Sequence, residues 1–355
     1  MMAPILKPRA ALRRLRTLSQ HHGGIWAALR KAIRAFRTNG IAGLRAGLRP
    51  PPLPSLPPGR NRPDDADDLA IEVPFNYSPH IKSQRLCAII HVFYPDLCAE
   101  IIKYLENVPS GIDVFVSTTS DTKRREIEDH FTGFTKGALE VRVFENRGRD
   151  IAPKLVGFRD VYDRYDIALS LHTKKSPHGG SPLEGWRHYL YEHLLGSPLI
   201  VASNLALLQS GTVGMVFPQH LFYLRPIFAW GANYQRCRDL LARTGTGIHE
   251  GIYLECPTGS MFWCRTDALR KLLELDLQFS DFDDEAGQID GTLAHAMERA
   301  FLYAVEAQGY TWAKVSRRDL YPLPHTLLPI NRPNDIAPSL QLVHRPLLQP
   351  TASFH

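Results

Sequence analysis

The sequence predicts an α/β protein: a Rossmann-like, mostly parallel sheet flanked by helices, with a basic helical extension ahead of it. Three observations predict it. Residues 86–93, Leu-Cys-Ala-Ile-Ile-His-Val-Phe, are a continuous apolar run, as a strand buried on both faces requires. Three further strand-like runs follow by residue 171, each reached through a helix-length stretch, which is the pattern of βαβ units. Residues 1–60 carry 12 Lys+Arg and no Asp or Glu, so they are a different kind of segment.

Residues 1–48 read as one or two short basic amphipathic helices. Leu12, Leu15 and Leu18 recur at helical spacing, as do Ile25, Ala28, Leu29, Ile33 and Phe36. A basic helix with an apolar face can lie on an anionic membrane surface; nucleic acid, an acidic partner protein or a solvated extension are the alternatives. Seven prolines in residues 49–63 forbid a helix or a sheet interior, so 49–68 is a linker ending in Asp64, Asp65, Asp67 and Asp68. The folded domain is expected over 69–325 and a Pro-rich tail without regular structure over 326–355. Residues 61–355 have a net charge of −6, which argues against nucleic acid as a partner.

Within the domain the spacing predicts strands at 86–93, 113–117, 139–144 and 167–171. Helices are expected at 95–107, at 121–131, and from an Asp150 cap to about 165 with Pro153 in the first turn. Helices at 185–195 and 198–209 and a strand at 213–217 follow. A glycine turn leads into a strand at 258–263. A long helix runs from Asp290 to Ala307, and 310–315 is a last strand. No window approaches the roughly 18 apolar residues of a membrane-spanning helix, and no secretory leader is expected. The five cysteines lie far apart with no C-x-x-C pair, so they read as buried apolar residues in a reducing cytoplasm.

Ligands of open α/β sheets bind at the carboxyl ends of the strands, so the candidate sites lie there. After the second predicted strand, Ser117 to Thr122 offers hydroxyls and Asp121 before a helix. After the third, Glu145-Asn146-Arg147-Gly148-Arg149-Asp150 sets two arginines beside a helix start, which favours an anion. After the fourth, His172-Thr173-Lys174-Lys175 sends lysines from a buried strand, poised to neutralise a diphosphate. Residues 285–299 place Asp290, His295, Glu298 and Arg299 at helical spacing, as general-base chemistry requires. Asp281, Asp283, Asp284 and Glu285 have the composition of a solvated loop, with Mg²⁺ coordination the alternative.

These motifs together resemble the rhamnan synthesis protein F family of bacterial polysaccharide biosynthesis. The residues that carry the resemblance are N-R-G-R-D-I-A-P at 146–153, L-H-T-K-K-S at 171–176, G-W-R at 185–187, G-S-M-F-W-C-R at 259–265 and E-A-G-Q-I-D-G-T-L-A-H-A-M-E-R at 285–299. The layout also resembles, at a weaker level, the inverting glycosyltransferases of the GT-A fold. Thr118 to Asp121 then takes the place of that group's nucleoside-binding turn. The D-x-D that usually holds a divalent cation is replaced here by His172-Thr173-Lys174.

The resemblance implies a nucleotide-sugar-dependent, inverting glycosyltransferase of rhamnan or O-antigen type, with rhamnose the first candidate sugar and a lipid-linked glycan the acceptor. Asp290 would be the general base, with His295 and Glu298 completing the catalytic group. Thr118, Asp121, Asn146, Arg147, Gly148, Arg149, Asp150, His172, Lys174 and Lys175 would bind the donor. Trp186, Arg187, Ser260, Trp263 and Gln288 would bind the acceptor. The lysines in place of D-x-D imply a site with no metal cofactor, with Mg²⁺ the alternative. The enzyme would be cytoplasmic and held at the inner membrane through residues 1–48. The competing reading is a non-catalytic glycan-binding or scaffold module of the same fold.

Overall fold

The computed structural model describes residues 69–109, 111–173, 185–249, 251–285 and 290–348. In chain order its elements are β1 (Ala70–Glu72), β2 (Leu86–His91), α1 (Cys98–Leu105), β3 (Asp113–Thr118), α2 (Asp121–His130), β4 (Leu139–Val143) and β5 (Ile167–His172). Then come α3 (Trp186–Leu195), α4 (Pro198–Leu208), β6 (Val213–Pro218), α5 (Tyr234–Ala242), β7 (Phe262–Arg265), α6 (Arg270–Leu273) and α7 (Leu293–Ala307). The last are β8 (Thr311–Ser316), β9 (Leu327–Leu328) and α8 (Ile336–Val343). The strands form one sheet in the order β4-β3-β2-β5-β7-β6-β8-β1-β9. Every described pairing is parallel except those of β7, which runs antiparallel to both β5 and β6.

Alternation along the strands builds two cores, one on each face. Leu86, Ala88 and Ile90 of β2 pack on one face, while Cys87 and Ile89 pack on the other. The first face is covered by α1 to α4 and α8, and the second by α5, α7 and residues 151–162. All five cysteines are buried and none forms a disulfide, as expected of small apolar residues.

Three expectations are corrected. The helix predicted from Asp150 is irregular: a π-helical turn at Pro153–Gly157, in which Phe158 N–H reaches back to Pro153 O at 3.0 Å, then a 3-10 turn at Arg159–Val161. The long helix starts at Leu293 rather than Asp290, because Thr292 is its cap. The C-terminal stretch has regular structure: β9 pairs with β1, and α8 buries Leu340 and Val343, with Pro338 tolerated in its first turn. β1 also extends the sheet and was too short to announce itself. Residues 1–68 lie outside the described residues.

Candidate active site

The carboxyl ends of β2, β3 and β5 meet where β7 begins. His91 of β2 is in register with Ser117 of β3 and His172 of β5. Because β7 runs the other way, the Thr258–Ser260 turn that leads into it reaches the same edge. Gly259 and Ser260 both have positive φ, +83° and +54°. A side chain at residue 260 in that conformation is strained, so the turn must be held from outside. His172 Nε2–H donates to Gly259 O at 2.8 Å, and Gly259 N–H donates to Glu298 Oε1 at 2.8 Å. Ser260 O accepts from Ser170 Oγ and from Lys154 Nζ, both at 2.9 Å. A Cβ on residue 259 would lie 2.9 Å from Leu190 Cδ1 and 3.2 Å from Trp186 Cζ2. Gly259→Ala is therefore expected to cost about 1–3 kcal/mol from backbone strain alone, read from a urea unfolding curve.

Around this turn is a cavity of about 200 Å³, walled by Arg149, Asp150, His172, Trp186, Ser260, His295 and Glu298. Asp150 Oδ2 accepts from Lys154 Nζ at 3.3 Å, so the expected helix cap is an ion pair instead. Burial alone would raise the Asp150 carboxyl; His172, Lys154 and His91 act the other way and hold it at about 2. His91 is itself driven down to about 4 by burial, so it is neutral at pH 7. Burial also draws the Lys154 ammonium below its usual value, with Asp150 opposing.

The remaining wall is the first turns of α7. Thr292 caps the helix, and its Oγ1 lies 2.7 Å from His295 Nδ1. Burial and then Arg149 lower the His295 imidazole below 6.5, against Asp290 and Glu298, so it is neutral at pH 7. Among the described residues, Asp150 Oδ1, Glu298 Oε2 and His295 Nε2 have no hydrogen-bond partner. Three polar atoms on a small cavity are thus left for a ligand.

Asp290 lies beside this wall and does different work. Its Oδ1 accepts from Asn233 Nδ2 at 2.7 Å and its Oδ2 from Ala232 N–H at 3.1 Å. Burial pushes the Asp290 carboxyl up, but Asn233, the Ala232 amide and Arg299 together hold it below the usual carboxylate value. That makes it a weak base and a firm staple for the 231–233 segment.

The other expected residues divide. Asp121 opens α2 with its side chain 77% exposed, beside Arg124. Asn146 is exposed, and Gly148 is buried with φ +70° against Ala152 and Phe282. Arg147 pairs with Asp284 and Glu145, and Arg149 N–H donates to Glu285 Oε1 at 2.9 Å. With Asp283 on Arg236 and on Leu293 N–H, the acidic run is spread over separate partners. No group of three or more His, Cys, Asp or Glu among the described residues is placed to hold a metal ion. Arg187 of α3 turns to Glu100 of α1 at 2.9 Å and does not wall the cavity. Lys174, Lys175 and Gln288 lie outside the described residues.

Thr118 and Trp263 are corrected to core positions. Both are fully buried; Thr118 Oγ1 donates to Val92 O at 2.9 Å and Trp263 Nε1 to Leu194 O at 3.1 Å. The second follows from the place of β7 inside a sheet covered on both faces, where Trp263 packs beside Leu169 and Val216. Conversely, Lys154 and His91 were not anticipated. The signal for Lys154 was a lone lysine in the apolar stretch 151–158, four residues from Asp150.

Comparison with known proteins fits this edge of the sheet to a family. The chain belongs to the rhamnan synthesis protein F family, whose model matches residues 72–310 and so takes in every wall of the cavity. An uncharacterized protein, WxcX, of Xanthomonas campestris pv. campestris is 34% identical over 256 residues in strain B100. Its counterpart in strain ATCC 33913 is 33% identical. Each match takes in 69% of this chain but 35% of WxcX, so the chain spans about a third of the length of those curated relatives. Among solved structures, a mannosyltransferase, PcManGT of Pyrobaculum calidifontis, in complex with GDP-Man and Mn²⁺, aligns with a TM-score of 0.37 and 14% identity. That alignment covers 86% of this chain and 66% of the other, and it is too loose to carry a residue, a metal or a donor across.

Proposed function

We propose that this chain is a polysaccharide glycosyltransferase that moves a sugar, rhamnose first among the candidates, from a nucleotide-sugar to a lipid-linked glycan. The observation that carries this reading is a polar cavity at the carboxyl edge of the sheet, in a chain of the rhamnan synthesis protein F family. At about 200 Å³ it is smaller than the roughly 300–1,000 Å³ of pockets for drug-sized ligands, and it suits one sugar ring rather than a whole nucleotide-sugar. Asp150 and Glu298 can accept from sugar hydroxyls, and the Trp186 ring offers an apolar wall.

In an inverting displacement the acceptor oxygen attacks the anomeric carbon. The bond from that carbon to the diphosphate oxygen breaks, and a base takes the acceptor proton. His295 is the best-supported base, because its Nε2 is unpartnered and its imidazole is neutral at pH 7. Asp290, the base implied by the motif, then serves as the staple described above. Lys174 and Lys175 follow Thr173 at the end of β5, and in this reading they neutralise the leaving diphosphate in place of a metal ion. Residues 1–48 would keep the enzyme on the cytoplasmic face of the inner membrane. Among the described residues, no helix is long and apolar enough to cross a membrane.

The test is a thermal shift of the full chain against UDP, dTDP, GDP, CMP and ADP, each with Mg²⁺ and with EDTA. A bound nucleotide at 100 times its dissociation constant adds about 2.7 kcal/mol. A shift with one nucleotide, unchanged by EDTA, is expected. No shift with any would favour a glycan-binding module, and a shift only with Mg²⁺ would sink the lysine-for-metal assignment.

A further inference from the structure

Lys154 does not wall the cavity; it lies behind it on the π-helical turn, 2% exposed. Its ammonium reaches Asp150 Oδ2 at 3.3 Å and Ser260 O at 2.9 Å. The rings of Phe262 and Phe301 cover it, their centroids 5.0 and 5.5 Å away. Asp150 and Ser260 are separate parts of the cavity wall, 110 residues apart in the chain. We infer that Lys154 is a positioning residue of the cavity: one buried ammonium sets both the Asp150 carboxylate and the strained Gly259–Ser260 turn.

The physical case is the cost of burial. A lysine with no access to water must be matched by a carboxylate and by hydrogen bonds. Here those partners are the two groups whose position shapes the wall. Asp150 is left with one oxygen tied inward and Oδ1 unpartnered. The other ionisable groups facing the pair are His91 from β2, His172 from β5, Cys264 from β7 and Glu298 from α7.

Lys154→Met keeps the chain length and removes the charge. The first readout is stability against pH, which needs no substrate. Without the ammonium, the Asp150 carboxyl loses one of the groups that offset burial and rises from its low wild-type value. Lys154→Met should therefore lose most stability at neutral pH and regain part of it as pH falls and the acid protonates. Lys154→Met/Asp150→Asn, with no carboxylate to protonate, should lack that pH dependence. A penalty constant from about pH 4.5 to 8 would mean that Lys154 only fills space, and would overturn the inference. If Lys154→Met does not fold, recovery of folding on adding Asp150→Asn supports the pair, and no recovery overturns it.

The second readout rests on the glycosyltransferase reading. In sugar transfer well below the melting temperature, Lys154→Met should lower kcat/KM by about tenfold or more, with nucleoside diphosphate binding unchanged. Wild-type kinetics in folded Lys154→Met would overturn the inference. If the wild type transfers no sugar, the glycosyltransferase reading fails, while the pH series still decides on Lys154.

Discussion

His295→Asn is expected to lower kcat for sugar transfer by about 10²–10⁴-fold with the fold intact, the usual worth of a positioned base. The pH profile identifies the base independently. A histidine base works when deprotonated, and burial with Arg149 puts the His295 imidazole below 6.5. Activity should thus be full at pH 7 and fall only as pH drops through that lowered value. An Asp290 base would behave differently. Its carboxyl sits below 3.8, so the profile would stay flat far into the acid range. Asp290→Asn should mainly loosen the 231–233 segment, since it weakens the bonds to Asn233 and the Ala232 amide. If His295→Asn keeps wild-type kcat while Asp290→Asn abolishes turnover, Asp290 is the base and the assignment made here is wrong.

What the sequence discloses about this site follows how local the signal is. β2, β3 and β5 are legible because each is an apolar run buried along most of its length, with turn residues at its ends, and the half-buried edge strand β4 because apolar and charged residues alternate along it. β1 and β9 are three and two residues long, too short for any period, and they owe their place to pairing with each other and with β8. Asp150, Ser260, His295 and Glu298 are legible because they sit in dense motifs at strand and helix ends. Lys154 is legible only in part, because Asp150 lies four residues before it but its other partner, Ser260, is 106 residues away. Trp263 shows the opposite failure. A motif drew attention to it, but β7 is a central strand covered on both faces, so Trp263 is buried like Phe262 and Cys264 beside it.

The largest stability effect is expected from a second buried lysine. Lys314 of β8 lies 3.3 Å from Glu255 Oε2, and Glu255 Oε1 meets His220 Nε2 at 2.6 Å. All three side chains are no more than 2% exposed. Lys314→Met leaves Glu255 charged in the interior with less to balance it, and breaking such a pair costs about 3–5 kcal/mol. Lys314→Met/Glu255→Gln removes both charges and should be closer to wild type than Lys314→Met alone. Urea unfolding of the two variants measures this directly. A Lys314→Met penalty below about 1 kcal/mol, with no recovery in the double variant, would show that the pair is not a structural unit. The network also touches the site: His220 Nδ1 lies 3.0 Å from Thr258 Oγ1, one residue before Gly259. The turn is thus tied near Thr258 to the Glu255–Lys314 pair and at Ser260 to Lys154. A variant that frees either end should therefore cost turnover as well as stability, because the same segment forms the cavity wall assigned to the sugar in the proposed function.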